Sequence, residues 1–317
     1  MKSDALRIGK IELCSRALFA PMAGYSDLGA RYLARLYGAG LTTSEMVSAK
    51  GLCYHNRETE ALLAKTEIET PFAAQLFSAS PEYTAKAVAL LPEGIDIVDI
   101  NMGCPAPKIV KNGEGSALLK DPVLAGELVA AAVAASRRPV TVKMRLGYEM
   151  GAFSADKVAR SVEAAGASAV TVHGRYRDQM YAGSVDLAAI KRVRDAVAVP
   201  LVANGDVRSL RDYERMLRET EADGVMIGRG ALGNYRLFAE IAGKTVARTE
   251  REDILLQIEF LKKQYSERIV VNLMKHHVCA YASGKAGVAK EIRDRVHHAT
   301  DYAELYALVD EYFGGGR

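Results

Sequence analysis

The sequence has few cysteines, and none of them lies in a metal-binding or redox pattern. The four are Cys14, Cys53, Cys104 and Cys279, which lie far apart and form no CxxC pair in a chain of 317 residues. Such spacing in a chain of this size excludes a disulfide framework and a cysteine-rich zinc site, so we expect reduced thiols and no bound metal. No Cys-His-Asn spacing typical of a cysteine protease is present either.

Long apolar runs and a strong net charge are also missing. No apolar stretch approaches the ~18 residues of a membrane span, and residues 1–10 contain no apolar signal region, so we expect no membrane partner and a soluble, cytoplasmic protein. The formal net charge is only +3, and aromatic residues make up 7% of the chain, with no tryptophan. This balance excludes a globally basic nucleic-acid binder, so any basic surface must be local.

Short apolar runs that alternate with amphipathic stretches predict the fold. The runs begin near Leu18, Leu41, Phe72, Ile97, Val140, Ala169, Leu201 and Gly224. Most of them lack polar alternation, as parallel strands buried on both faces do, and their spacing is that of β-α units. Eight such units predict an α/β fold, the (β/α)8 TIM barrel. A doubly wound open sheet is the alternative, although no GxGxxG follows the first strand, which argues against a dinucleotide-binding Rossmann site.

The pattern becomes purely helical beyond Gly243. Ile254, Ile258, Leu261 and Tyr265 step by four, three and four positions, which is one face of a helix, and two similar series follow. We therefore expect a barrel domain over residues 1–243 and a small all-α domain over residues 248–317. Residues 6–13 predict a short strand or hairpin that closes the floor of the barrel.

The carboxyl ends of barrel strands supply catalytic groups, so the residues at the end of each apolar run are the candidates. In chain order these ends are residues 20–24, residues 44–46, Gln75, Asn101 with Cys104, Lys143 with Arg145, His173 with Arg175, residues 204–206 and residues 228–230. We expect all of them to surround one cavity at the barrel mouth.

The last two strand ends favour a phosphate site. Gly205, Gly228 and Gly230 let backbone N–H groups approach a ligand closely, and Arg229 can add a charge-assisted contact. The same glycines are also compatible with plain turn geometry. Asp206 is expected to hold its loop in place rather than to perform chemistry.

Cys104 follows a buried strand run and precedes Pro105, which favours an extended backbone. Lys108 and Lys111 lie nearby in a polar loop, so we expect the thiol to be exposed rather than part of the core. A neutral thiol can donate a proton, and a thiolate can act as a nucleophile. The role of Glu45 is left open between ordering a loop and contacting substrate.

Lys143 and His173 can each be structural residues when taken singly. Together with Gln75 and Asn204 in one barrel mouth they favour a flavin site. Side-chain amides can bind the polar edge of a flavin or a base, and a lysine can stabilise negative charge on a reduced flavin.

Taken together, these segments resemble the tRNA-dihydrouridine synthase family. The similar segments, in that family's order, are residues 20–27, 44–50, 101–105, 143–145, 173–175, 204–206 and 228–230. The resemblance covers about residues 17–295. Residues 275–293 resemble the family's helical RNA-binding domain, although the aromatic residue often found before Tyr281 is Ala280 here.

The resemblance implies a cofactor, a reaction and a partner. FMN would be held by Pro21, Met22, Ala23, Gln75, Lys143, His173, Asn204, Gly205, Asp206, Gly228 and Arg229. NADPH would reduce FMN, hydride would pass from N5 to C6 of specific uridines in tRNA, and Cys104 would protonate C5 as a general acid. The implied contacts to the base or the RNA are Asn101, Lys108, Arg145, Arg175, Lys275 and Arg293. The expected partners are tRNA and NADPH, with no metal, and the protein is expected to be a monomer.

Two other functions remain open. A small-molecule flavoenzyme, such as a free-pyrimidine or dihydroorotate oxidoreductase, would keep FMN and the cysteine but would not need a helical domain. A non-catalytic RNA-binding or chaperone-like protein on an inactive barrel would not need the set of Cys104, Lys143 and His173.

Overall fold

The structure, a computed structural model, describes residues 5–315 apart from 284, 286 and 288. Its strands are β1 Arg7–Ile8, β2 Ile11–Glu12, β3 Ala17–Phe19, β4 Thr42–Thr43, β5 Val47–Ser48, β6 Phe72–Phe77, β7 Ile97–Met102, β8 Val140–Arg145, β9 Ala169–His173, β10 Leu201–Asn204 and β11 Gly224–Ile227. Its helices are α1 Leu28–Leu36, α2 Ala49–Cys53, α3 Arg57–Ala61, α4 Pro81–Leu90, α5 Pro107–Lys111, α6 Pro122–Ala135, α7 Ala155–Ala164, α8 Leu187–Arg194, α9 Leu210–Thr220, α10 Arg236–Ile241, α11 Glu250–Lys262, α12 Glu267–Tyr281, α13 Ala289–His298 and α14 Tyr302–Phe313. Short 3₁₀ helices span Gly115–Lys120 and Arg229–Ala231.

Parallel strands form a closed ring. Neighbours follow the order β3-β11-β10-β9-β8-β7-β6-β4, and β5 continues the position of β4 beside β6. The N–H of Phe19 donates to the carbonyl of Leu41 at 2.9 Å and that of Gly40 to Ala17 at 2.8 Å, which joins β3 to the segment before β4. Each predicted run begins within one residue of an observed strand. The predicted TIM barrel is therefore confirmed, and the open-sheet alternative is excluded.

The amino-terminal hairpin closes the floor of the barrel, as its sequence predicts. β1 and β2 pair antiparallel, with Ile8 opposite Ile11. Leu6, Ile8 and Leu13 join an apolar cluster with side chains from inside the ring, including Leu18. Because this end is filled with apolar side chains, the polar ends of the strands are left to form the opening at the other end.

The residues after α10 are helical, and they pack against the barrel. Ile254, Ile258 and Leu261 are fully buried, as their spacing predicts, and α11 packs against α1. A capping box begins α11, because Thr249 and Glu252 bond to each other's backbone N–H groups. The division into domains over residues 1–243 and 248–317 stays a prediction. Residues 1–4 and 316–317, and residue 284 of the carboxyl-terminal segment, lie outside the described residues.

Candidate active site

The carboxyl ends of the strands open into a cavity of about 1090 Å³. Its walls include the predicted residues Pro21, Met22, Ala23, Gln75, Asn101, Cys104, Lys143, Arg145, His173, Asn204, Gly205, Asp206, Gly228, Arg229 and Arg293. The cavity continues to α12, where His276 and Tyr281 line it. The structure thus brings together residues from all the predicted strand ends. Arg175, Lys108 and Lys275 do not line it.

A chain of hydrogen bonds crosses three neighbouring strands below this cavity. Thr141 Oγ1 donates to Asp99 Oδ1 at 2.6 Å, and Gln75 Nε2 donates to Asp99 Oδ2 at 2.7 Å. Asn101 Nδ2 donates to Gln75 Oε1 at 2.8 Å, and the N–H of Cys104 donates to Asn101 Oδ1 at 2.9 Å. Cys104 is therefore linked to a carboxylate inside the barrel. The sequence analysis missed Asp99, although a carboxylate within the apolar run of β7 was a signal for it.

Cys104 lies half-buried at the cavity wall. Burial raises the pKa of its thiol, and this effect outweighs the Ala106 N–H group and the charges of Arg145 and Lys143. The carbonyl of Cys104 accepts from Ser116 N at 3.0 Å and from Ser116 Oγ at 2.7 Å, which holds the loop. A thiol that stays neutral at pH 7 favours proton donation over the nucleophilic role.

Lys143 presents an ammonium group that has no hydrogen-bond or ion-pair partner among the described residues. Burial and the charge of Arg145 lower the pKa of Lys143 from 10.5 to about 8, although Asp99 and Cys104 oppose the shift. Its amine lines the cavity, where it can meet negative charge on a ligand. A partly buried lysine without an anionic partner costs stability and is typical of a binding or catalytic site.

His173 is a neutral imidazole. Burial, followed by the charges of Lys143, Arg145, Arg175 and Arg229, holds its pKa well below 6.5. Its Nε2 lies 3.2 Å from Nη1 of Arg175. Because a guanidinium only donates, Nε2 accepts and the proton is on Nδ1, so the ring can offer an N–H donor.

Arg175, which was expected to contact RNA, is buried in the structure. Its side chain is only 2% exposed. The guanidinium donates to the carbonyls of Ala182 and Gly183 at 3.1 and 2.6 Å and to Asp206 Oδ2 at 2.6 Å. A phosphate contact would require the loss of these bonds, so Arg175 instead holds the loop after β9 and orients His173.

Arg145 is also internal. It is 2% exposed, and it donates to the carbonyls of Gly103, Tyr176 and Met180 at 3.1, 2.9 and 2.7 Å. It therefore ties the cysteine loop to the loop after β9. Its position in the cavity wall still allows contact with a bound base.

The expected phosphate loops lie side by side at one end of the cavity. Asp206 accepts from Arg175 and from Val185 N at 3.1 Å, so it makes loop-holding contacts. Arg229 lies 3.6 Å from the Asp206 carboxylate and remains 44% exposed. A Cβ at Gly230 would lie 1.9 Å from the Val207 carbonyl, so close backbone packing explains that glycine.

Tyr181 is a cavity residue that the sequence analysis missed. It is 54% exposed, and the guanidinium groups of Arg145 and Arg229 lie 5.5 and 4.5 Å from its ring centre. An exposed aromatic ring in a cavity wall can stack on a planar ligand. The signal was a pair of large apolar residues, Met180 and Tyr181, in an otherwise polar loop.

Glu45 orders a loop, one of the two roles left open for it. Its Oε2 accepts from the N–H of Gly24 at 2.6 Å. Burial raises the pKa of its carboxyl, an effect that the Gly24 hydrogen bond opposes. The bond connects the break between β4 and β5 to the segment that contains Met22 and Ala23.

The comparisons with known proteins decide the family. A family model described as "Dihydrouridine synthase (Dus)" matches residues 18–313. The chain belongs to the dihydrouridine synthase family. A "Probable tRNA-dihydrouridine synthase" of Rickettsia bellii is 36% identical, covering 97% of this chain and 98% of the relative. A "tRNA-dihydrouridine synthase B" of Pseudomonas syringae pv. tomato is 36% identical, covering 99% of this chain and 96% of the relative.

Solved structures of similar shape include other TIM-barrel enzymes. Morphinone reductase aligns with a TM-score of 0.55 and 16% identity, covering 77% of this chain and 90% of that chain. TcOYE, solved with pHBA, aligns with a TM-score of 0.53 and 11% identity, covering 75% of this chain and 91% of that chain. At these identities the likeness shows the barrel fold alone.

Within the part of the chain that the structure describes, no helix is long and apolar enough to cross a membrane, and no three His, Cys, Asp or Glu side chains are grouped so that they could hold a metal ion.

Proposed function

We propose that this dihydrouridine synthase reduces the C5–C6 double bond of specific uridines in tRNA to 5,6-dihydrouridine, with FMN as cofactor and NADPH as reductant. One observation carries the proposal. The neutral thiol of Cys104 and the unpaired ammonium of Lys143 line the same cavity, in a chain of this family. The relatives named as acting on tRNA match nearly the whole chain, which supports tRNA as the substrate.

The residues around the cavity fit a flavin mononucleotide. Lys143 and the Nδ1–H of His173 are donors suited to the electron-rich pyrimidine edge of a flavin. Pro21, Met22 and Ala23 offer a mostly apolar surface for the ring. The backbone of residues 204–206 and 228–229, with the partly exposed Arg229, suits the ribityl and phosphate groups. Bound FMN, once reduced by NADPH, supplies the hydride that adds to C6 of the uracil ring.

Cys104 would supply the proton. Reduction of the ring at C6 leaves negative charge on C5 and O4, and a nearby neutral acid lowers the energy of that transition state. The thiol of Cys104 retains its proton because burial raises its pKa. Asn101 holds the backbone N–H of Cys104 at 2.9 Å, so the acid is fixed before the base arrives.

The RNA contacts would come from both parts of the chain. Lys108 is exposed on α5 beside the cysteine loop. Lys275 lies on α12 next to the cavity residue His276, and Arg293 of α13 lines the cavity. We propose residues 1–243 as the FMN-binding catalytic domain and residues 248–317 as the tRNA-binding domain. The target base must leave its stack to reach the cavity, where Tyr181 can stack against it.

The flavin spectrum of the purified protein tests the proposal. NADPH should bleach the oxidised flavin bands, and unmodified tRNA should restore them with formation of dihydrouridine. Cys104→Ala should keep the bleaching step but slow restoration by tRNA by about 10²- to 10⁴-fold. Cys53→Ala, which removes another half-buried thiol outside the cavity, is the matched control and should behave as wild type.

Two results would contradict the proposal. Restoration at the wild-type rate in Cys104→Ala would remove the acid role. Restoration by free uracil or uridine but not by tRNA would assign the protein to the small-molecule oxidoreductases.

A further inference from the structure

Asp99 is a buried carboxylate that the proposed reaction does not use. It lies on β7 inside the barrel and is 5% exposed. Both of its oxygens accept hydrogen bonds, one from Gln75 Nε2 and the other from Thr141 Oγ1. Burial raises the pKa of Asp99, while these two donors and the charge of Lys143 oppose that shift. Both oxygens are therefore engaged by side chains of the neighbouring strands, and such a costly buried group requires an explanation.

The direction of the hydrogen-bond chain explains it. The backbone N–H groups of Gly103 and Cys104 only donate, and both donate to Oδ1 of Asn101, at 3.1 and 2.9 Å. Asn101 must therefore turn its Nδ2 to Gln75, and Gln75 must turn its Oε1 to Asn101. The Nε2 of Gln75 is then left facing residue 99, which has to be an acceptor. The Oδ2 atom of Asp99 is this acceptor, at 2.7 Å.

We propose that Asp99 is a positioning residue: it accepts the hydrogen bond that Gln75 has to donate, so it fixes the Gln75 and Asn101 amides and holds the Cys104 loop in place. This proposal rests on the acid role of Cys104 stated above. Without the carboxylate, Nε2 of Gln75 is buried without an acceptor. Gln75 then has to shift to find another partner, which releases Asn101 and the loop that Asn101 holds.

Two substitutions at position 99 distinguish the effect of the hydrogen-bond acceptor from the effect of side-chain packing. Asp99→Val keeps a similar shape but removes the acceptor. Asp99→Asn keeps one oxygen for Gln75 and turns its amino group to Thr141, whose hydroxyl can accept instead. Adding Thr141→Val removes that acceptor, so either this amino group or Nε2 of Gln75 is left without an acceptor. Thr141→Val alone leaves Asp99 able to accept from Gln75, and it serves as the control.

The first measurement follows the two flavin half-reactions by stopped flow. In Asp99→Val we expect reoxidation by tRNA to slow roughly tenfold to a hundredfold, since small displacements of a reacting group have effects of this size. Reduction by NADPH, which does not involve Cys104, should change less than about twofold. Asp99→Asn should restore most of the tRNA step, and the double variant Asp99→Asn/Thr141→Val should lose it again. If Asp99→Val does not fold, the Asn-based variants carry the same comparison.

The second measurement needs no turnover. The rate at which iodoacetamide alkylates Cys104 in the flavin-loaded protein, followed by mass spectrometry, reports the position of the loop. We expect Asp99→Val and the double variant to alkylate faster than wild type, with Asp99→Asn close to wild type.

The outcomes keep the two proposals apart. Unchanged alkylation and an unchanged tRNA step in Asp99→Val would overturn the positioning role. Equal slowing of both half-reactions, without rescue by Asp99→Asn, would overturn it as well, because it would indicate a purely structural residue. Faster alkylation with an unchanged tRNA step would support the positioning role and overturn the acid role of Cys104.

Discussion

The imidazole Nε2 of His277 lies 2.5 Å from Oδ2 of Asp27, although the two residues are 250 positions apart in the chain. Both side chains are buried. Oδ1 of Asp27 accepts from the N–H groups of Gly29 and Ala30 at 2.9 and 3.0 Å and so caps α1. One carboxylate thus connects α12 to the barrel segment that follows Met22 and Ala23 in the cavity wall.

His277→Ala should destabilise the protein because it leaves the Asp27 carboxylate buried without its partner. We expect the free energy of unfolding to fall by about 2–4 kcal/mol. Urea unfolding at pH 7 measures the change. Arg251→Ala, which removes the exposed ion pair with Asp310, is the control and should cost less than ~1 kcal/mol. Equal effects of the two variants would show that the buried pair has no special role.

The same pair predicts an acid dependence of stability. Burial raises the pKa of Asp27, but the contacts with His277, Ala30 and Arg31 outweigh this and hold it below 3.8. The unfolded chain then binds a proton at Asp27 more readily than the folded protein does. The pair therefore contributes fully to the free energy of unfolding above pH 3.8, and this contribution is lost as the pH falls through the pKa of Asp27 in the folded protein. Urea unfolding between about pH 5 and pH 3 should show a steeper loss in wild type than in His277→Ala. Parallel curves would contradict this assignment.

Lys143→Met should stabilise the flavin-free protein while it abolishes flavin reduction. The folded protein lowers the pKa of Lys143 from 10.5 to about 8, so it holds the protonated form unfavourably at pH 7. Removing this charge should raise the free energy of unfolding by on the order of 1–3 kcal/mol. The exposed Lys120→Met is the control and should leave stability nearly unchanged.

The pH dependence of stability distinguishes two causes for the stabilisation by Lys143→Met, which are the loss of the charge and better packing of the side chain. Between pH 8 and 10.5 the unfolded wild type binds more protons than the folded protein, so its stability gains with rising pH. The advantage of Lys143→Met should therefore shrink across this window. Denaturant titrations at about pH 7 and pH 9.5 test it; an advantage that persists undiminished would be due to packing alone.

Gly115→Ala should displace the cysteine loop. A Cβ at Gly115 would lie 2.8 Å from the carbonyl and 3.1 Å from the Cβ of Cys104, at a φ of +60°. Gly113→Ala is the matched control, because its φ is +77° but its Cβ would meet only Ala79 at 3.5 Å. Both variants carry similar backbone strain of ~1 kcal/mol. We expect only Gly115→Ala to slow flavin reoxidation by tRNA, roughly tenfold or more; equal rates would show that the loop tolerates the shift.

Substitution of Lys108 should affect tRNA binding, whereas substitution of Arg175 should affect the stability of the protein. Lys108→Ala should weaken tRNA binding and leave the stability of the protein unchanged. The slope of log K for tRNA binding against the logarithm of salt concentration should become shallower by about one. Arg175→Met should instead lower the melting temperature and flavin affinity, because it removes the buried donor shared by the Asp206 carboxylate and the carbonyls of Ala182 and Gly183. Filter binding at several salt concentrations and thermal unfolding distinguish them. A salt effect in Arg175→Met without loss of stability would restore its RNA role.

The barrel could be predicted because its signals are local. Each strand from β6 to β11 is a short run of apolar residues that must be buried on both faces, and its start was found at its observed first residue. The buried helical face formed by Ile254, Ile258 and Leu261 could be predicted from their spacing in the same way. The strand-end residues shared one cavity because parallel strands of a barrel all end on the same side.

The hydrogen-bond partners and charge states of individual side chains could not be predicted from the sequence in this way. Arg175 is basic and lies in a polar loop, yet its contacts bury it against residues as distant as Asp206. The sequence by itself determined the barrel, the family and most of the strand-end residues that face the cavity, because periodicity and motif order are properties of the chain. Only the tertiary structure decided that Cys104 keeps its proton, that His173 is neutral and that Asp27 meets His277. Desolvation and hydrogen bonding depend on which distant residues surround a group, and folding alone sets that neighbourhood.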